Sequence, residues 1–544
     1  MSLSPTESQH RRLVLFAMCM ATFMTSLDLT IVNVALPSMQ SELHLSAAEL
    51  EWVISAYSLS LAAVIPASGA LGDRYGRKRV FLTGMVVFTI SVVACALAWS
   101  PASLIAFRAL QGVGGAAMLA LGLSIITEAY PAQERAGAIG AWAAIGGTGF
   151  GAGPVGGGIL LTFFSWQSVF WSNLPFAALG IVCTVVAVRE SRNPNARRLD
   201  VPGMSISGLG LVGITLGFVE SSARPWGSAL VAVPLAVGAV LMAVFFWWER
   251  RAPHAMLPSA LLRARSFVTA SGIYLLCYGG MSGALFWVTL YFQDVAGWSV
   301  LRTGLSWLFM NIPFLTMAQF GGRLDSRFRT STVAVTGTLV AAVGVFLLSR
   351  SGTVPFEVSA LGYALYGGGF GIFVPATTHA AMRDVPAGVS GAASGVLNAS
   401  RQIGSSVCLA VLGTVGVNGA VSAWRSKVSG LAGAEHVRAL QQSQSVGGGR
   451  LRAVVQALGA PFRQPAVHSF LHGYQLAVGL AAVCTAVASG LAYAGFRQRR
   501  AGRSAAVVEP QLTLPLPLPL PQPQPLQLDV ESARESKTAI DQSN

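Results

Sequence analysis

The chain has 544 residues, of which 53% are hydrophobic and only 11% charged, with a formal net charge of +14. A soluble protein carries about 25% charged residues, so this chain has too little polar surface to cover itself in water. Its arginines gather at the ends of apolar stretches, which signals orientation in a membrane and contact with anionic lipid headgroups, with no nucleic-acid partner. The six cysteines are scattered singly through apolar segments, without a C-x-x-C or ligand-spaced pair, so they read as small fillers. No metal and no cofactor are expected.

In chain order, a polar N-terminus (1–12) ends at His10-Arg11-Arg12, and the first apolar stretch runs on past Leu27-Asp28 to Pro37. That is too long, and too polar late on, for a cleaved signal segment. Stretches of about 20 apolar residues, enough to cross roughly 30 Å of hydrocarbon, recur at 13–37, 50–71, 80–99, 102–126, 136–162 and 168–188. A pair follows at 204–220 and 228–249, inside a linker of 191–265. Six more lie at 266–292, 302–320, 331–350, 356–380, 389–415 and 470–494. The expected fold is an all-α integral membrane protein of about fourteen spans: a six-helix bundle at 13–190, an inserted helix pair, and a second six-helix bundle at 266–495. A long outer loop near 416–469 has room for a short amphipathic helix near Glu435–Gln442. Residues 496–544 turn polar and then alternate Leu and Pro from Leu512 to Pro525, which forbids a helix and predicts a disordered, extended cytoplasmic tail.

Orientation follows from alternation. With the N-terminus inside, the inner loops collect Arg74, Arg77, Lys78 and Arg79, then Arg189, Arg192, Arg197 and Arg198, and later Arg250, Arg251, Arg263 and Arg265. Short outer loops hold little beyond Arg224, Arg302 and Arg350. The bias never reverses, so both termini are expected in the cytoplasm.

The densest motif is Gly69-Ala-Leu-Gly-Asp73-Arg74-Tyr-Gly76-Arg77-Lys78-Arg79, a carboxylate and four cations in one turn between spans two and three. Charges at that density cap two membrane helices on the watery side. A degraded copy, Gly321-x₃-Asp325-x₃-Arg329, follows the second span of the second bundle, as expected of two halves that rock about a central site. The turn resembles the G-x-L-x-D-R-x-G-R-K-x loop of the major facilitator superfamily of transporters. That resemblance implies conformational roles for Gly69, Asp73, Arg74, Gly76, Arg77 and Asp325.

Within the spans, Asp28 is a carboxyl in hydrocarbon, at a cost of about 2.5–3.5 kcal/mol. Two readings stay open: an acid paired with a cation for packing, or a group that loads and unloads a proton, since burial disfavours the charged form. Its setting, Leu27-Asp28-x-Thr30 to Pro37, resembles the first-span motif of the fourteen-span drug/proton antiporters of that superfamily. Arg108, in Arg108-x-x-Gln111-Gly112, is a second deep charge, and the resemblance associates it with proton transfer. The fifth span carries Gly149, Gly153, Pro154, Gly157 and Gly158 at a spacing that resembles the antiporter motif, which implies export. Trp166, Phe170, Asn173 and Pro175 resemble the family's W-R-W-x-F-x-x-N-x-P, with Gln167-Ser168 in place of its R-W. Asn398, Arg401, Gln402 and Gly404 resemble its N-x-x-R-Q-x-G. Asn33, Gln111, Asn311, Asn398 and Arg401 are candidates for the substrate pathway. No acid occurs in 302–320, which argues against dicationic cargo.

The three lysines, Lys78, Lys427 and Lys537, do not follow glycine, so the chain lacks a phosphate-cradling G-x-x-x-x-G-K-[ST] loop and an ion gradient must drive it. The expected function is a proton-coupled antiporter, not an enzyme, that exports antibiotics or other amphipathic toxic compounds across a bacterial inner membrane. Arg-rich, Lys-poor coding fits an antibiotic producer exporting its own product. Its partners are a small-molecule drug, protons and lipid, and it is expected as a monomer. The alternative is a dedicated exporter or importer of a metabolite or siderophore on the same scaffold.

Overall fold

The computed structural model describes residues 5–192, 200–221, 224–252, 261, 263–383 and 390–496. The Leu-Pro segment and Arg197–Arg198 lie outside the described residues.

Local chemistry sets the helix ends. Helix α1 (Pro5–Leu43) gives way to α2 (Ala47–Tyr75) at Ser46, whose hydroxyl accepts from the Glu49 amide at 3.3 Å while Glu49 Oε2 accepts from the Ser46 amide at 2.8 Å. This reciprocal cap satisfies two amides that would otherwise lack partners. Between α2 and α3 (Arg77–Ala96), Gly76 adopts φ +115°, a conformation open to glycine alone at little cost. Ser100 and Ser103 cap α4 (Pro101–Ala129), with Pro101 at the first turn, where a missing N–H costs nothing. Then come α5 (Ala132–Phe163), the short α6 (Ser168–Trp171), α7 (Leu174–Ala187), α8 (Val201–Ser221) and α9 (Ala229–Glu249).

The second part begins with α10 (Arg265–Leu290), which ends in a π turn at Tyr291–Val295. It continues through α11 (Val300–Ser306), α12 (Leu308–Arg327), α13 (Thr330–Ser349), α14 (Phe356–Arg383) and α15 (Ser390–Val428). Three short helices, α16 (Gly433–Gln441), α17 (Ser443–Gly447) and α18 (Leu451–Leu458), precede α19 (Arg463–Phe496). Among the described residues the molecule is all-helical apart from one isolated bridge, Ser351 to Val354. Twelve helices there are long and apolar enough to cross a membrane. Helices α5 and α12, at the predicted stretches 136–162 and 302–320, include side chains outside the described residues.

Several helices outrun their apolar runs. Helix α1 begins at Pro5 rather than near residue 13, and α15 continues to Val428 rather than stopping near 415. Val417, Val421 and Trp424 are buried on that extension, and Trp424 Nε1 donates to the Ala439 carbonyl, so packing against the 433–458 helices carries the helix onward. The expected 416–469 loop is therefore largely helical.

The helices pack in two groups with the same pattern. In the first, α1 lies on α5 and α7, α4 lies on α2 and α3, and α3 lies on α7. In the second, α10 lies on α15 and α19, α14 lies on α12 and α13, and α13 lies on α19. The repeat hinted at by the two glycine–aspartate motifs is thus a repeat of packing. The groups meet along α2–α15 and α5–α11, and the α8–α9 pair leans through α8 on both α2 and α15.

Candidate functional site

Helices α1 and α4 bring Asp28 and Arg108 together. Arg108 Nη1 donates to Asp28 Oδ2 at 2.6 Å and to Gln111 Oε1 at 2.7 Å, and Gln111 Nε2 donates to Asp28 Oδ1 at 2.9 Å. Both carboxylate oxygens are therefore occupied. Arg108 Nε donates to the Val53 carbonyl at 3.0 Å, and its guanidinium lies 4.5 Å from the Tyr57 ring centroid. Asp28 and Gln111 are 0% exposed and Arg108 is 1% exposed. Arg108 and Gln111 share a face because they are three apart on one helix. Burying opposite charges in this way is tolerable because further hydrogen bonds, from Gln111 and to the Val53 carbonyl, hold both ions. Val53 and Tyr57 carry no charge and no motif, so sequence reasoning missed them.

The glycine-rich α5 presses on the helix that carries Asp28. A β-carbon at Gly149 would lie 2.6 Å from the Phe23 carbonyl, and one at Gly153 2.9 Å from the Ile31 amide. Gly157 faces the Ile31 side chain. Thr30 Oγ1 donates to the Phe150 carbonyl at 3.0 Å across the same contact. The other side of α5 meets the second group: a β-carbon at Gly158 would lie 2.9 Å from the Leu301 Cα, and Gly304 sits against the Pro154 carbonyl. Small residues permit this close approach of backbones, which stands in for the hydrophobic drive that lipid cannot supply. Helix α5 is thus a wedge between the Asp28 helix and the second group.

The charged turn is tied to two further elements. Arg77 reaches Asp73 at 2.9 Å and Glu128, at the end of α4, at 3.1 Å. Glu190 accepts from the backbone amides of Lys78 and Arg79 at 3.1 and 3.3 Å, and the Arg77 amide donates to the Ser191 carbonyl. Arg74 lies over the neighbouring Tyr75 ring. Gly69 has open space beside it. Glu128 and Glu190 were not singled out from the sequence, although each is an acid at the end of an apolar stretch on the same side as the cations.

The remaining candidates are dispersed. Asn33 donates to the Leu29 carbonyl of its own helix, and Asn311 donates at 3.4 Å to the Gly151 carbonyl of the other group. Asn398 Oδ1 accepts from Arg401 at 3.3 Å, and the Arg401 guanidinium lies 4.3 and 5.3 Å from the Tyr274 and Tyr278 ring centroids. These two do not join Asp28 and Arg108. The side chain of Asp325 lies outside the described residues. Among the described residues no group of three or more His, Cys, Asp or Glu side chains stands together to hold a metal ion. A cavity of about 400 Å³, lined by Asp294, Arg452 and Arg463, opens beside the π turn and is separate from the Asp28 pair.

Two groups of membrane helices with a repeated packing pattern, one of them holding a buried ion pair, define a membrane carrier. Residues 18–408 match the family model of the Major Facilitator Superfamily, and the chain belongs to that superfamily. Multidrug resistance protein Stp of Mycobacterium tuberculosis is 35% identical over 415 residues, covering 76% of each chain. The tetracenomycin C resistance and export protein of Streptomyces glaucescens is 29% identical over 485 residues, 88% of this chain and 90% of that one. Among solved structures, an inward-facing bacterial homologue of the human lysosomal transporter Spinster superposes with a TM-score of 0.57 at 17% identity, over 91% of this chain and 98% of that one. That likeness establishes the fold.

Proposed function

We propose that this protein is a fourteen-span, proton-coupled antiporter that exports antibiotics or other amphipathic toxic compounds from a bacterial cytoplasm. In this reading it acts as a monomer in the inner membrane, with the Asp73–Arg79 turn and both termini cytoplasmic. The single observation that carries the coupling is the sealed Asp28–Arg108–Gln111 network. A proton that reaches Asp28 from outside neutralises the carboxylate and frees Arg108 from its counter-charge, and cargo arriving from the cytoplasm takes the proton's place. The proton leaves to the cytoplasm as cargo binds, and the cargo leaves to the outside, so each cycle with uncharged cargo carries one positive charge inward. Each charge crossing gains about 2.3 kcal/mol per 100 mV, and each pH unit adds about 1.4 kcal/mol. At about 100 mV and one pH unit, a single proton sustains a cargo gradient of a few hundredfold.

Antibiotic cargo is supported by the relatives named for resistance to methylenomycin A and puromycin, and for tetracenomycin C resistance and export. Outward direction is supported by the resemblance of the Gly149–Gly158 spacing to the antiporter motif and by the relative named for tetracenomycin C export. The test is accumulation by inverted vesicles of a pump-deleted host expressing the full chain, where efflux from the cytoplasmic face reads as uptake into the lumen. Imposed ΔpH should drive tetracenomycin-like or puromycin-like compounds, and Asp28→Asn should abolish the ΔpH dependence at equal expression. Undiminished efflux after the gradient is collapsed would overturn the reading.

A further inference from the structure

Five carboxyl or guanidinium side chains are buried among the described residues: Asp28, Glu51, Arg108, Asp200 and Glu249. Asp28 and Arg108 hold each other, Asp200 accepts from Trp248 Nε1 and the Gly203 amide, and Glu249 is also engaged. Glu51 is different. It is 0% exposed, and neither of its carboxyl oxygens has a hydrogen-bond partner.

Its position gives this a purpose. Glu51 lies early in α2, on the side turned to α15 of the second group, where its carboxyl abuts Gly413 so closely that a side chain there would collide with it. One turn along the same seam, Ser406 Oγ donates to the Ser55 carbonyl at 3.4 Å. Between these contacts the Val53 carbonyl accepts from Arg108, and the Tyr57 ring lies beside that guanidinium. A single stretch of α2 thus touches the second group through Glu51 and Ser55, and the buried ion pair through Val53 and Tyr57.

Charged groups on the helices packed against α2 are held elsewhere, and a further cation, Arg450, follows Gly448, which is seated against Ala47 at the start of α2. On α1, Asp28 is held by Arg108 of α4; on α3, Cys95 turns to Gln111, and Arg77 lies at the far end of α2. On α8, Glu220 pairs with Arg224. On α15, Arg401 stacks on Tyr274, and both it and Arg425 lie more than three helical turns from Gly413. Among the described residues no cation pairs with Glu51, and an unpaired carboxylate sealed in a dry seam is disfavoured.

We propose that Glu51 is a second proton-binding carboxyl, which closes the seam between α2 and α15 as the neutral acid and holds it open as the ion. The proposal rests on the reading of the chain as a carrier whose halves part and close. Glu51 lies one to two turns from the end of α2 that bears residues 44–46, which Gly448 covers through Ala47 and Gln40, so in this proposal its proton comes from that side and returns to it when the seam parts. Asp28 then carries protons across, whereas Glu51 sets how often that face is open. With one proton required for closure, the closed-to-open ratio falls up to tenfold per pH unit.

The test places spin labels at Ser41→Cys, near the end of α1, and Ser426→Cys, near the end of α15, both exposed, in full-length protein without its six native cysteines. In lipid nanodiscs, the long-distance population should grow as pH rises from about 5 to about 9. Glu51→Gln should stay at the short distance throughout, and Glu51→Asp should keep the pH response. Gly413→Ala, which crowds the carboxyl without removing it, should raise the long-distance population at every pH. The proposal is overturned by a wild-type pH response in Glu51→Gln, or by no response in any variant. The readout is a distance and not a flux, so gradient-independent efflux with the distance response intact would remove the antiport reading and leave this one standing.

Discussion

Arg108 and Asp28 stand 80 residues apart in sequence and 2.6 Å apart in space. The pair is sealed from solvent, so its members depend on each other far more than surface ions do. Removing one partner of such a pair costs about 3–5 kcal/mol, because the other is left charged and dry. Asp28→Ala and Arg108→Ala should each lower the unfolding temperature of the detergent-solubilised protein markedly. The Asp28→Asn/Arg108→Gln double variant should recover part of that loss while remaining inactive in efflux. A double variant no more stable than the singles would show that the two charges are not coupled.

Gln111 serves both ions, accepting from Arg108 and donating to Asp28. Gln111→Leu keeps most of the volume but leaves Asp28 Oδ1 without a donor, at a cost of about 1–3 kcal/mol. Gln111→Glu places a second carboxyl beside Asp28 and should impair transport more than Gln111→Leu. Paired thermal melts and vesicle efflux at matched expression give both comparisons.

Overpacking the wedge should act on motion as well as stability. In Gly153→Val the new atoms fall on Thr30 and the Ile31 backbone, and in Gly158→Val on Leu301. Each should cost about 1–3 kcal/mol. Gly153→Val should also displace the Asp28 helix and abolish resistance, whereas Gly156→Val, which meets open space, should retain it in the same drug-sensitivity assay.

At the charged turn, backbone should outweigh charge. Gly76 adopts φ +115° and its missing side chain leaves room for the Glu190 carboxyl, so Gly76→Ala should destabilise by more than about 1 kcal/mol. The Arg77–Glu128 contact is half exposed, and Glu128→Gln should cost less than about 1 kcal/mol. Thermal melts would rank the two variants.

Helix positions were legible because each needs a long apolar run, and the predicted stretches fall on helices, with 168–188 divided between α6 and α7 and 302–320 between α11 and α12. Asp28 and Arg108 stood out because charges are rare in hydrocarbon. Their contact did not, since helices that are apolar all round give no sign of which face meets which neighbour. Glu51 hid for another reason: an acid so near a helix start reads as complementing the helix dipole. The hydropathy of Leu50-Glu51-Trp52-Val53 nonetheless marks it as an acid at membrane depth. Glu128 and Glu190 escaped because their partners lie across distant loops, and loop pairing leaves no periodicity to read.

Helix α8 has a consequence for how molecules reach the carrier. Its last turn is hydrogen-bonded to α15 through Ser221 with Thr414 and Asn418, while Gly208 rests near Ala63 of α2. The inserted pair therefore bars the α2–α15 crevice like a shutter. A compound dissolved among the lipid tails finds sideways entry obstructed on that flank.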